Sequence, residues 1–525
     1  MSFRPSDFLS DPHLLVYLAD PFLLHPQLPY PEPPMPTAAA DRLDTRFADT
    51  AARHPGRTAV SDTSGTLTYR QLDTLASEVA DSLGGRVSPG QLVALRADRT
   101  RHAPGGILGI LRSGAAYLPV DPGYPEARQQ HLLNDSGAQL VLTDAPLLPG
   151  EEPVATVGPF TLATRPGVTP KTTPADTAYA IYTSGSTGLP KGCLVSHAHV
   201  LELMDGAAPL FDLGPDEVWT IFHSWSFDFS VWELWGPLLY GGQAVVVDRE
   251  SAADPEAFAQ LLADRQVTFL NQVPSAFGNL VTEAVAAGLT LPSLRHIVFG
   301  GEALVPDDVR RFWQAGLGPN ARLVNMYGIT ETTVHVTFCP LTPDLLDGAR
   351  PGRTPIGRPL PHLAISLRDA EGTPVPVGQP GELWVSGASV SHGYLERPEL
   401  NAARFVDGHY RSGDWAVEEP DGTYSYLGRQ DGQVKLRGFR IELGEIEAAL
   451  RAIPGVTSAA CTVTPDAQSL SAYVVADPDE VPTRVIRTHL ADHLPAHMLP
   501  QSIHHLRQLP LTPHGKLDRT ALLAA

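Results

Sequence analysis

Apolar positions along the chain recur at two spacings that take turns. Residues 73–83 carry them three and four apart, the spacing of a helix with one buried face. Short continuous apolar runs at 92–95 and 139–142 read as buried strands. The rhythm continues with strands at 244–247 and 267–270 and a helix at 255–262 between them. Such alternation predicts α/β layers. Around 350–361 the chain becomes rich in Pro and Gly, and β-like segments follow at 364–367 and 381–385. A second shift in composition falls near 428–438. Beyond it lie a helix at 442–452, strands at 459–463 and 471–475, and a helix at 483–494. Leu443, Ile446 and Leu450 share one face of the first of these helices. This last group reads as a small α+β domain of about 90 residues. The expected fold class is α/β, a large N-terminal core of layered sheets and helices plus a small C-terminal α+β domain. The expected units are a Pro-rich arm over 1–37, a core over 38–430 and a C-terminal subdomain over 431–525. The stretch 146–174, also Pro-rich, leads into the most informative segment of the chain.

That segment is YTSGSTGLPKG at 182–192. Thr183, Ser184, Gly185, Ser186, Thr187 and Gly188 alternate hydroxyl donors with a flexible backbone whose N–H groups are free to wrap phosphate oxygens. Lys191 adds a positive charge. A P-loop of the G-x-x-x-x-G-K-[ST] type is excluded, because Pro190 precedes the lysine and Gly192 follows it. A plain linker needs no Pro-Lys-Gly ending. A net charge of −20 argues against nucleic acid or an anionic membrane as the main partner. Three widely spaced cysteines, Cys193, Cys339 and Cys461, suggest neither a disulfide framework nor a zinc site and fit a reducing cytoplasm. No signal peptide or membrane-spanning run is apparent, so a cytoplasmic protein is expected.

Further motifs follow in a fixed order: LTYRQL (67–72), LRSGAAYLP (111–119), FDFS (227–230) and NMYGITE (325–331). After them come GEL (381–383), YRSGD (410–414), GRQD (428–431), RGFRIELGE (437–445) and LPLTPHGK (509–516). From about residue 40 to the end, the ordered set resembles the adenylation domains of nonribosomal peptide synthetases, within the acyl-CoA synthetase and luciferase superfamily. Two positions depart from the pattern: Ile329 stands where many members have proline, and His497 where tyrosine is usual. The chain ends soon after Lys516 without a carrier domain, so a freestanding enzyme or an excised domain is expected.

The resemblance implies a large core with a small β-barrel-like part and two half-reactions. An amino-acid carboxylate attacks the α-phosphate of ATP, giving an aminoacyl adenylate and pyrophosphate. A pantetheine thiol on a carrier protein in trans then takes the acyl group. Lys516 is implied as the catalytic cation on the carboxylate and α-phosphate. Residues 183–188 and Lys191 would hold the β- and γ-phosphates, with Thr330 adding a phosphate contact and Glu331 ligating Mg²⁺. Tyr327 would stack on adenine, with Gly301 beside the nucleotide. Asp414 would accept from the ribose hydroxyls, and Arg429 would help hold the nucleotide. Asp431 is the implied hinge that turns the small domain so that 437–445 faces the pantetheine. A small MbtH-like activator protein is a further implied partner.

The side-chain pocket implied by the resemblance reads Asp228, Phe229, Trp232, Asn271, Val298, Gly300, Met326, Val334, His335 and Lys516. A buried carboxylate needs a cation, and the α-ammonium of an amino acid supplies one to Asp228. The apolar walls, the room at Gly300 and the polar Asn271 and His335 suit one methyl and one hydroxyl. The set resembles the threonine-selective pattern, with Val298 in place of isoleucine. A site that bonds the hydroxyl rejects valine by about 10⁴ or more, whereas serine, lacking only a methyl, loses roughly 1–3 kcal/mol. L-Threonine is therefore the expected substrate, with serine the leakier competitor. The competing readings are an acyl-CoA ligase of the same fold, disfavoured by Asp228, and a non-catalytic nucleotide-binding module, disfavoured by Lys191, Glu331, Asp414 and Lys516 together. A docking subunit would rest on the arm 1–37.

Overall fold

A computed structural model describes residues 42–185, 189–350, 352–429, 433–464, 469–510, 517 and 519–523. The arm 1–37, Ser186, Thr187, Gly188, Asp431 and Lys516 lie outside the described residues.

Two large sheets and their helices build the N-terminal part. One has seven strands, with Leu92–Arg96, Ala116–Pro119 and Leu140–Thr143 parallel at its centre. Its far edge is the antiparallel pair Thr177–Thr183 and Lys191–Ser196, which carries the Gly/Ser/Thr loop between its strands. Helix Tyr69–Leu83 packs Leu72, Leu75, Ala76, Val79 and Leu83 into the core. It starts four residues before the expected 73, because Thr68 and Gln71 form a capping box that satisfies the first free N–H groups. The Pro-rich stretch 146–174 is not all extended lead-in. It holds the hairpin Glu152–Val157 and Phe160–Thr164, and Pro153 is accommodated because its strand is at the sheet edge.

The other sheet has fourteen strands. Its parallel centre includes β1 (Val218–Ile221), followed in the chain by helix α1 (Phe229–Tyr240), then β2 (Phe269–Gln272), β3 (His296–Phe299) and β4 (Arg322–Asn325). These strands lie side by side in that order. β2 begins two residues later than expected. The N–H of Val267 closes the turn after the preceding helix on Leu262, so inter-strand bonding starts only at Thr268, whose N–H donates to Val218. Beyond β4 the sheet turns antiparallel through Thr354–Pro359, Pro380–Gly387 and His409–Glu418. Open parallel sheets bind ligands at the C-terminal ends of their strands. Asn271, Val298, Gly300 and Met326 all fall there, in or just after β2, β3 and β4.

The C-terminal domain is smaller and has its own core of Leu436, Ile441, Ile446, Leu450, Cys461, Ile486 and Leu490, among others. It consists of the hairpin Gln433–Leu436 and Phe439–Glu442, helices Leu443–Arg451 and Thr483–His493, and a three-stranded sheet. The mixed α/β architecture, with a large N-terminal core and a smaller C-terminal domain, is the one expected. All three cysteines are buried and free. Among the described residues no helix is long and apolar enough to cross a membrane.

Candidate functional site

The site lies where the phosphate-type loop, the strand ends and the C-terminal hairpin meet. Thr183 pairs directly with Lys191 across the edge hairpin, so both ends of the loop are fixed by a rigid ladder. Lys191 is only 4% exposed, and its ammonium sits 4.6 Å over the Tyr394 ring. Burial, helped by the nearby Arg440, pulls its pKa down to about 8. The hydroxyl of Thr183 is buried with no partner among the described residues. Ser184 Oγ donates to the carbonyl of Arg440 at 2.7 Å. The backbone of Gly185 bonds the carboxylate of Glu445, which also pairs with Arg128. Groups expected to take phosphate oxygens are thus engaged by a carbonyl and a carboxylate of segment 437–445.

Thr330 and Glu331 sit in the short turn Thr330–Thr332. Glu331 is fully buried. One of its oxygens accepts from Arg440 Nη1 at 2.8 Å, the other from the hydroxyl of Tyr394. Burial pushes this carboxyl up, but Arg440, Lys191 and Tyr394 outweigh that and hold it at about 2. A single ionised carboxylate beside a phosphate-type loop fits a hard divalent cation that draws its other ligands from phosphate and water. Among the described residues no cluster of three or more His, Cys, Asp or Glu could hold a metal by protein ligands alone.

The expected nucleotide residues converge nearby. Asp414 is fully buried and accepts from Tyr327 Oη at 2.6 Å and Arg429 Nη1 at 2.9 Å. The Lys435 ammonium lies 5.2 Å from the Tyr327 ring centroid and 5.6 Å from that of Tyr426. Burial lowers its pKa. Arg429 therefore acts through Asp414, orienting the carboxylate expected to meet the ribose.

The side-chain pocket is assembled by residues far apart in sequence. A cavity of about 40 Å³ is lined by Asp228, Phe229, Gly301, Thr330, Val334 and His335, with Lys435, Gly438 and Arg440 closing it from the C-terminal domain. Asp228 ends the loop before α1 and is 7% exposed. Burial raises its pKa to about 6, against the opposing bond from the Thr330 hydroxyl. Trp232, one turn into α1, donates its indole N–H to Asn271 Oδ1 at 2.8 Å. The Asn271 amide nitrogen and His335 Nε2 are buried and unpartnered among the described residues. Burial drops the His335 pKa to about 3, so its ring is neutral. The His335 ring meets Phe229 and Trp232 edge-on. Val298 is buried beside Asn271 in the ladder, and Met326 follows β4. At Gly300 a Cβ would press on Phe229 and His335 at 3.3 and 3.4 Å. Gly328 has a stricter reason: a Cβ there would lie 1.6 Å from the Val334 carbonyl. Thr333 and Val334 hold the pocket loop in left-handed conformations, strain of the kind found at binding sites.

Several site residues carry no separate signal in the sequence. Tyr394 and Glu302, whose carboxylate accepts the N–H of Gly438 at 2.7 Å, belong to none of the motifs. Lys435 and Arg440 lie in or beside the 437–445 motif, but their partners are over one hundred residues away for Arg440 and on Tyr327 for Lys435. His497, the departure from tyrosine, keeps a flat ring stacked 3.7 Å from Phe439, which in turn stacks on Phe227.

Comparison with known proteins identifies the family. Residues 47–395 match the family model of the AMP-binding enzymes, and residues 445–516 match that of the AMP-binding enzyme C-terminal domain. The chain is 40% identical over 513 residues to a dimodular nonribosomal peptide synthase of Bacillus subtilis, covering 92% of this chain and 21% of that protein. It is 41% identical over 498 residues to syringomycin synthase SyrB1 of Pseudomonas syringae pv. syringae, covering 91% of this chain and 80% of that one. It is similar to the structure of holo-PA1221, an NRPS protein containing adenylation and PCP domains, with a TM-score of 0.78 and 30% identity over 92% of this chain and 84% of that one. The chain spans about a fifth of the length of the first curated relatives it matches.

Proposed function

We propose, from the premise that the chain belongs to the AMP-binding enzyme family and is an AMP-forming ligase, that it activates L-threonine as threonyl-AMP. The acyl group is then handed to the phosphopantetheine thiol of a carrier protein in trans, for a nonribosomal peptide or a modified amino acid. The observation that carries the reading is the buried Asp228 carboxylate in a small cavity that His335 also lines; both ring nitrogens of His335, and Asn271 Nδ2 outside that lining, have no partner among the described residues. A buried carboxylate calls for a cation, which an α-ammonium provides. Each unmet buried polar atom costs about 1–3 kcal/mol, which a ligand hydroxyl recovers. The apolar faces of Phe229, Trp232 and Val334 take the methyl group.

In the first half-reaction the loop 183–188 and Lys191 hold the phosphates, and Lys516 stabilises charge growing on the α-phosphate as the carboxylate attacks. Mg²⁺, held by Glu331 and the phosphates, would neutralise charge on the departing pyrophosphate. Tyr327 supports adenine, and Asp414, steadied by Arg429, takes the ribose hydroxyls. In the second half-reaction the C-terminal domain, beginning near Asp431, seats 437–445 against the site. Support for this comes from Arg440 on Glu331 and Ser184, and from Gly438 on Glu302. An MbtH-like protein and a partner for the arm 1–37 complete the reading.

Hydroxylamine trapping of an equimolar amino-acid mixture, read by mass spectrometry, tests the substrate. Threonine hydroxamate dominates, serine hydroxamate follows at roughly 10- to 200-fold less, and valine hydroxamate lies far below both. A dominant hydroxamate from any other amino acid contradicts the pocket reading.

A further inference from the structure

The pocket wall Phe229 does not stand alone. Behind it, outside the residues that line the cavity, the imidazole of His223 lies flat on the Phe229 ring, with centroids 4.6 Å apart and planes 16° apart. His223 is 6% exposed and also meets the edges of Phe222 and Phe227. Its place is set by Glu233, which has no exposure and sits on α1 one residue after the pocket residue Trp232. His223 Nδ1–H donates to Glu233 Oε1 at 3.0 Å. The other carboxylate oxygen accepts the backbone N–H groups of Phe222 and His223 at 3.2 and 3.0 Å. A carboxylate accepts only, so this bond fixes the tautomer and the plane of the ring.

The consequence runs forward into the pocket. Phe229 meets His335 edge-on at 5.1 Å, and His335 meets Trp232 edge-on at 5.2 Å. A ring clamped flat behind Phe229 denies it the space to retreat. In a close-packed interior such a backing residue fixes the position of the wall, and removing it opens a void that the surroundings only partly fill. We propose that His223, oriented by Glu233, is a positioning residue for substrate selection: it holds Phe229 forward and sets the size limit of the side-chain pocket. The inference rests on the amino-acid-activating reading of that pocket, but not on threonine being the substrate.

The test uses two variants that avoid stranding a buried charge. Glu233→Gln keeps an oxygen for the Phe222 and His223 N–H groups while removing the carboxylate. In that background, His223→Ala removes the ring and His223→Phe restores a flat one. Amino-acid-dependent pyrophosphate exchange is measured for the preferred amino acid and for leucine, with the KM for ATP taken in parallel. With the alanine variant, kcat/KM for leucine relative to the preferred amino acid rises at least tenfold, and the KM for ATP stays within twofold. The phenylalanine variant returns the ratio to within threefold of the wild type. A general loss of activity would lower both substrates together and leave the ratio alone. An unchanged ratio in the alanine variant, or a raised ratio that phenylalanine fails to restore, overturns the inference while the wild type still activates an amino acid. A wild type that activates no amino acid overturns the function itself, and this inference with it.

Discussion

Asp228→Asn lowers kcat/KM for the amino acid about 10²–10³-fold and raises the melting temperature of the ligand-free protein by ~2 °C. The first effect follows from removing one partner of a buried ion pair, which costs about 3–5 kcal/mol. The second follows from the position of the carboxyl. Burial raises its pKa from 3.8 to about 6. Between those values the folded protein holds a proton that the unfolded chain has released. Ionising Asp228 therefore costs stability, fully so above about pH 6; the cost fades as pH falls from there towards the ordinary carboxylate value and is gone below it. The neutral amide escapes a cost on the order of 1–3 kcal/mol. The same ionisation makes the wild-type enzyme lose affinity for its amino acid as pH falls from 7 to 5, because a neutral carboxyl cannot pair with an ammonium. Differential scanning fluorimetry and pyrophosphate exchange across this range check both signs. A variant that melts lower and loses ATP affinity as well would mark Asp228 as a structural residue.

Arg440→Leu slows acyl transfer to a pantetheine thiol about 10²-fold, while amino-acid-dependent pyrophosphate exchange stays within about threefold. In the arrangement described, Glu331 is fully buried and takes its strongest support from Arg440, which Gln433 also holds at 2.8 Å. Removing the guanidinium leaves a buried carboxylate with Lys191 and Tyr394 only. The penalty falls near the lower end of the 3–5 kcal/mol range for a broken buried pair, because Lys191 remains. Seating of segment 437–445 is disfavoured by that amount, whereas phosphate binding in the first half-reaction does not use Arg440. Single-turnover transfer from preformed adenylate, set beside exchange, separates the two. Equal losses in both steps would show that the pair merely holds the fold together.

Much of the fold was readable because its elements are locally specified. Helix Thr483–His493 and strands Leu92–Arg96 and Leu470–Val475 follow directly from apolar spacing. Boundaries moved where a side chain or a distant backbone group decided them, as at the Thr68–Gln71 cap and at Val267. The hairpin within 146–174 was hidden because the stretch reads as Pro-rich and proline is disfavoured in strands, yet an edge strand tolerates one. The site divides in the same way. The glycine-rich loop declares its chemistry locally. The pocket, from Asp228 to His335, was placed only through resemblance, since strand ends far apart in sequence bring it together. Arg440 on Glu331, Tyr394 on Glu331 and His223 on Phe229 are tertiary pairings that no local pattern encodes. Lys516 and Asp431 rest on their motifs, both lying outside the described residues.

The most direct test of amino-acid activation is ATP–pyrophosphate exchange with threonine compared with its amine-free counterpart, a short dihydroxy acid of the same carbon skeleton. Exchange with threonine that exceeds exchange with the amine-free acid at least a hundredfold is the expected result, because only the ammonium meets the buried Asp228 carboxylate. Equal or greater exchange with the amine-free acid would contradict the account and assign the site to a carboxylic-acid ligase.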